Sequence, residues 1–346
     1  MAVKQRMQWV DVLRGLAVYF IVVGHFTDLA GDFYLFVFSF HVQLFFFVSG
    51  LFASRYSGLA VKQLLQQLAN RLLIPFAGLA VFHTLFLNVL KGGGLPTWLA
   101  MMLDCLKGVR NGPYIHNLWF FPCLAVMVLL YRLLQKVCKQ RELLLVLCLA
   151  LSFAMRLFKE DAQWIWSADS AVLYLFYYAL GDYVKPFIDA FDYGALACGK
   201  KLLLWGTGAA ASLFAAVWYT GYSNLKEMVG LQLPVAVDKL VMFFAAVVLI
   251  AWAAFVAVLL RRFQLLAEIG KNTMIISATE FISRGIVDEL VQLVGLQLHY
   301  SQMRALLVAC LFVAMGYKLW APLLKKVFPA VFCREKDAPL FGEAKK

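Results

Sequence analysis

Residues 9–26 read WVDVLRGLAVYFIVVGHF, an apolar run about as long as a bilayer-crossing helix, with Asp11, Arg14 and His25 set inside it. The run follows a basic start, MAVKQRMQ, as a secretory leader would. Asp11 and Arg14 interrupt it, however, and no small-x-small cleavage site comes after it, so the segment reads as a retained first membrane helix. Ionisable side chains inside an apolar span are costly, and they ordinarily face a bundle interior or a polar cavity.

Working outward, the rest of the chain has the same character. Of the 346 residues, 63% are hydrophobic and 15% charged, and the mean hydropathy is +0.78. A soluble domain averages nearer half apolar and a quarter charged, so a soluble protein is excluded. Apolar runs place helices at residues 9–28, 33–53, 71–90, 116–134, 142–158, 170–185, 201–220, 235–260, 270–295 and 302–328. The runs are continuously apolar, without the alternation of a barrel strand, and open strands do not survive in lipid. The expected fold class is all-α: a polytopic transmembrane bundle of about ten helices. Residues 1–332 form one transmembrane domain, and residues 333–346, charged and carrying Pro339, read as a disordered cytoplasmic tail.

Lys and Arg between the spans fall into two alternating sets. The set that holds the N-terminus outnumbers the other (Lys91, Lys107, Arg110, Arg156, Lys159, Lys226, Arg304) about threefold. Both termini are therefore expected in the cytoplasm, with an even number of spans. A formal net charge of +12 is of the kind seen in nucleic-acid binders, but the basic residues sit where they orient a membrane protein, so no nucleic-acid partner is expected. Seven scattered cysteines without a CxxC pair read as small buried hydrophobes. Five scattered histidines give no ligand spacing, so neither a metal nor a bound cofactor is expected. The longest outward loop, residues 91–115, holds Gly92, Gly93, Gly94, Pro96, Gly112 and Pro113 and reads as irregular, either a cover over a site or a plain connector.

In the first helix, Arg14 and His25 are about 20° apart around the axis and about 16 Å apart along it. They share one face, with Arg14 toward the cytoplasm and His25 toward the outside. Asp11, three residues before Arg14, is within pairing distance of it. Taken singly, His25 would be a packing residue and Arg14 a snorkelling cation. On one face of a membrane helix, both point to function.

The stretch VDVLRGLAVYFIVVGH resembles the first helix of the membrane acyltransferase-3 family, a basic residue followed by ten residues and a His. FSFHVQLFFFVSGLFA is similar to that family's second segment through Phe46, Ser49 and Gly50, with His41 ahead of them. NRLLIPF with Arg71 and Pro75, LWFFP from Leu118 to Pro122, and IGKNTMII from Ile269 to Ile276 follow in family order. The variant with LWF and no appended domain looks closest to the branch that O-acetylates surface glycans. A departure lies after IGKNT, where relatives often carry a His and this chain has Glu280, with Arg284 four residues on as its expected partner.

The resemblance implies an integral, inner-membrane O-acyltransferase that moves an acyl group, acetyl first among them, from acyl-CoA as co-substrate to a carbohydrate hydroxyl. Such a transfer needs a base for the acceptor's proton, and a neutral imidazole suits that task. His25 takes this role, with Asp11 grouped beside it as catalytic. Arg14, helped by Arg71, is expected on the donor's phosphates. His41, Ser49, Trp119, Glu280 and Arg284 are candidate substrate contacts. Ser49 and Gly50 also read as small residues that let helices approach closely. His83, for which no partner is apparent, His116 and His299 receive no role. The rival from another class is a transporter or flippase for a lipid-linked sugar. A non-catalytic scaffold ranks behind both, because it leaves Arg14, Glu280 and Arg284 without a purpose.

Overall fold

The computed structural model describes residues 7–158, 163–190, 197–221, 234–295 and 301–333, and among them every regular element is helical. The chain opens with α1 Gln8–Gly24, α2 Asp32–Phe38, α3 His41–Gly50, α4 Val61–Leu68, α5 Ile74–Leu90 and α6 Leu95–Lys107. It continues with α7 Phe120–Val137, α8 Arg141–Phe158, α9 Ala168–Leu173, α10 Leu175–Asp189, α11 Cys198–Tyr219 and α12 Val235–Leu259. It closes with α13 Gln264–Lys271, α14 Thr273–Leu293, α15 Gln302–Met315, α16 Ala321–Val327 and α17 Pro329–Phe332. The expected tail beyond Cys333 and His299 lie outside the described residues.

Among the described residues, six stretches are long and apolar enough to cross a bilayer: Asp32–Gly50, Val61–Leu90, His116–Val137, Cys198–Tyr219, Val235–Leu259 and Gln302–Val327. The protein is thus a multi-pass membrane protein. Other helices fall short for identifiable reasons. α1 has 17 residues, α8 carries Arg141, Glu142 and Arg156, and α14 carries Glu280, Arg284, Asp288 and Glu289.

Three expected runs differ in detail. The run at 33–53 breaks between α2 and α3, where side chains take over main-chain bonds: Ser39 Oγ donates to the Phe36 carbonyl at 2.6 Å and Gln43 Nε2 to the Ser39 carbonyl at 3.2 Å. The run at 270–295 is preceded by the short α13 and starts anew after Asn272. The loop at 91–115 is not irregular throughout, because it contains α6. Its Gly and Pro residues punctuate that helix. Gly94 precedes it, Pro96 sits in its first turn, and Gly108 ends it in the left-handed conformation at φ 65°.

The hub of the bundle is α1, which packs against α2, α3, α12, α13, α14 and α15 and buries Val12, Leu13, Val18, Val22 and Val23 almost completely. Its tightest neighbour is α13. A methyl group added at Gly270 would overlap the Asp11 carbonyl oxygen, and one at Gly15 would overlap that of Leu266. The two backbones therefore touch, as small residues permit in membrane helices. Gly50 and Gly181 do the same for α3 and α10, against the carbonyls of Tyr178 and Phe47.

Gly270→Val should lower the thermal midpoint of the purified protein strongly, because backbone cannot give way as a side-chain tip can and overpacking costs about 1–3 kcal/mol or more. Gly206→Ala in α11, where an added methyl meets nothing within 4 Å, should leave the midpoint unchanged or raise it. Equal midpoints for the two variants would sink the account of the crossing.

Candidate active site

His25 follows the last residue of α1, and α14 runs beside it. Arg284 Nη2 donates to the His25 carbonyl at 3.1 Å, which satisfies one of the open acceptors at the helix end. One turn earlier on α14 is Glu280, whose side chain has no exposed surface. Its Oε2 lies 3.1 Å from His25 Nδ1, close but out of line for a regular hydrogen bond, and accepts from Asn117 Nδ2 at 3.3 Å. Its Oε1 lies 3.4 Å from Arg284 Nη2, the i,i+4 pair expected from spacing. Asn117 also donates to the Ser277 carbonyl at 3.0 Å, so it ties the turn before α7 to α14. The preceding residue, His116, holds a left-handed φ of 42°, a conformation that costs a non-glycine residue about 1–3 kcal/mol and tends to occur at functional sites.

With Nδ1 turned to Glu280, the other ring nitrogen of His25 remains for whatever enters the adjoining cavity. That cavity is about 470 Å³, and Arg14, His25, His41, Ser49, Arg71 and Trp119 all line it. Arg55, Arg110, Lys271, Asn111 and Asn117 line it too, and among the described residues no carboxylate does. The guanidinium of Arg14 lies 4.6 Å and that of Arg55 4.0 Å from the centre of the Phe52 ring. Arg71 sits in a π-turn, Ala69–Leu73, just before Pro75, and its buried Nε has no hydrogen-bond partner among the described residues. Arg110 lies 4.9 Å from the Trp119 ring centre and donates to the Tyr174 hydroxyl at 3.0 Å. A basic cavity free of carboxylates attracts anions, and an imidazole backed by a carboxylate can remove a proton from a hydroxyl.

The residues expected from sequence divide as follows. Asp11 is buried with its Oδ1 3.8 Å from Arg14 Nη1. It does not line the cavity, and the carboxylate that reaches His25 is Glu280. His41 Nδ1 donates to the Val37 carbonyl at 2.7 Å, and its ring packs beside Gly24, the neighbour of His25. Ser49 Oγ donates to the Phe45 carbonyl at 2.9 Å. Glu280 and Arg284 stand behind the cavity wall. His83 does have a neighbour: its ring meets that of His116 edge-on at 5.0 Å, and His116 lies 3.9 Å from the Phe281 ring. Arg55 entered the sequence reading only among the orienting charges, Lys271 as one of those and as part of the IGKNTMII motif, and Asn117 not at all. Its place directly before the LWFFP motif was the available signal.

Residues 7–316 match the family description of an acyltransferase domain. The chain belongs to the membrane acyltransferase-3 family, and it is an acyltransferase by that membership. No curated protein and no solved structure matches it.

Replacing Glu280 with Gln keeps the shape of the side chain and removes the charge that holds Nδ1. Turnover should drop about 100-fold with little change in apparent substrate affinity, and Asn117→Ala should give a smaller drop of the same kind. Full turnover by a folded Glu280→Gln protein would detach the carboxylate from the chemistry.

Proposed function

We propose that this acyltransferase takes an acyl group, acetyl first among them, from cytoplasmic acyl-CoA and transfers it to a hydroxyl of a cell-surface or lipid-linked carbohydrate at the inner membrane. The observation that carries the reading is one cavity whose wall holds both an imidazole seated on a buried carboxylate and a set of cations, with no carboxylate among the described residues of that wall. The carbohydrate acceptor follows from the family resemblance of the LWF-bearing branch.

His25 is the general base. Its Nε2 takes the proton from the acceptor hydroxyl as that oxygen adds to the thioester carbonyl carbon. The C–S bond then breaks, and the sulfur of coenzyme A leaves with the proton returned by His25. Glu280 keeps the ring oriented and stabilises the imidazolium formed in passing. Arg14 and Arg71, with Arg55 and Lys271, hold the anionic nucleotide end through charge-assisted hydrogen bonds. Asp11 steadies Arg14. His41 and Trp119 face the acceptor, and Arg284 supports Glu280. The Ser49 hydroxyl is occupied by a main-chain carbonyl, which favours direct transfer over an acyl-serine intermediate.

In purified protein, His25→Gln should reduce turnover about 100-fold or more while acyl-CoA still binds. Arg14→Ala should raise KM for acyl-CoA about tenfold and change kcat less. The discriminating signal is release of the free coenzyme A thiol, which a flippase for a lipid-linked sugar would not produce. Near-normal turnover by folded His25→Gln protein would remove His25 from the mechanism.

The topology that fits this reading has ten crossings: the six long apolar stretches together with α1, α8, the pair α9 and α10, and α14. Both termini are cytoplasmic, residues 1–332 act as one transmembrane domain, and residues 333–346 form a cytoplasmic tail. Terminal fusions to green fluorescent protein should glow, and fusions to alkaline phosphatase should be inactive. An active phosphatase at either end would reverse the assignment of donor and acceptor sides.

A further inference from the structure

A second cavity, of about 320 Å³, is lined by none of the residues given a role in the proposed transfer. It adjoins the first. Tyr56 and Tyr178 line one cavity, and their chain neighbours Ser57 and Ala179 line the other. Three cations, Arg132, Lys139 and Arg141, face it together with one carboxylate, Asp182.

Two of these four groups are accounted for by the fold. Asp182 Oδ2 accepts from the Tyr131 hydroxyl at 2.9 Å and from Gln135 Nε2 at 3.4 Å, both neutral donors. Arg141 compensates a helix defect: Pro186, inside α10, has no N–H to give to the carbonyl four residues earlier. That carbonyl belongs to Asp182, and Arg141 Nη2 donates to it at 3.1 Å and to the Tyr183 carbonyl at 2.9 Å. Arg132 and Lys139 have no such explanation. Arg132 Nη1 donates to Gln135 Oε1 at 2.9 Å, while its buried Nε has no hydrogen-bond partner among the described residues. Among the described residues neither cation forms an ion pair. A buried donor left open is ordinarily met by water or a ligand.

We propose that this second cavity is a binding site for a phosphate ester, with Arg132 and Lys139 as its charged contacts and the Ser57 hydroxyl at its rim. A phosphate offers several oxygens at once, to a guanidinium fork and to an ammonium. Basic pockets between membrane helices hold lipid headgroups in this way. The phosphate has two possible sources: an anionic phospholipid headgroup, which requires nothing of the acyl-CoA reading, or the nucleotide end of the donor, which rests on it.

The test compares the purified full-length protein with an Arg132→Gln, Lys139→Gln double variant, Arg141 being left in place to keep α10 intact. Native mass spectrometry reads retained phosphatidylglycerol against phosphatidylcholine, and calorimetry reads adenosine 3′,5′-bisphosphate. At least one phosphate ligand should bind the double variant about tenfold more weakly, and the wild-type binding should weaken in high salt. Loss of phosphatidylglycerol alone assigns the site to lipid, and loss of the bisphosphate alone assigns it to the donor. The proposal is overturned if the wild-type protein binds neither, or if the double variant binds both as well as wild type does. Should the double variant fold poorly, Lys139→Glu alone, at an exposed position, must weaken the same ligand. Binding is read without turnover, so a failed acyl-CoA reading leaves the lipid arm standing.

Discussion

A carboxylate with no contact to solvent, held inside a membrane protein, costs several kcal/mol unless charges and donors surround it. Glu280 is such a group, and the site is arranged around its compensation. Arg284 from the same helix, Asn117 from the turn before α7 and His25 from the end of α1 converge on its two oxygens. Each of these groups serves a second purpose: Arg284 closes the end of α1, Asn117 joins two segments, and His25 faces the cavity. Removing the carboxylate would leave these groups without a common partner, so stability and chemistry are coupled at this residue.

The cavity separates its charges from its base in a simple way. The acids lie outside its wall, Asp11 against Arg14, Glu268 against Lys271 and Glu280 behind His25, while the cations face inward. An anionic ligand therefore meets positive charge in a lining that, among the described residues, holds no carboxylate. The aromatic ring of Phe52 makes cation–π contacts with both Arg14 and Arg55.

The shared face of Arg14 and His25 was legible because helical period is a local property, and the i,i+4 relation of Glu280 and Arg284 was legible for the same reason. The approach of Glu280 to His25 was not. The two are remote in sequence, and their contact depends on how α14 lies against α1, which no local pattern encodes. Gly270 likewise reads as an ordinary glycine until the Asp11 carbonyl is set against it. The loop holding α6 was misread because Gly and Pro both mark irregular chain and bound helices, and only the left-handed Gly108 and the first-turn Pro96 decide between those uses. The continuously apolar runs, without the alternation of a strand, carried the all-helical class. The interruptions at Ser39 and Asn272 depend on side-chain hydrogen bonds that hydropathy does not record.

The contact of α1 with α13 through Gly15 and Gly270 also bears on motion. Two backbones in direct contact cannot roll or slide past one another without lifting apart, and α1 is wedged among five further helices as well. The helix that carries Arg14 and ends at His25 is thus locked in register against α13, so that those two helices behave as one body.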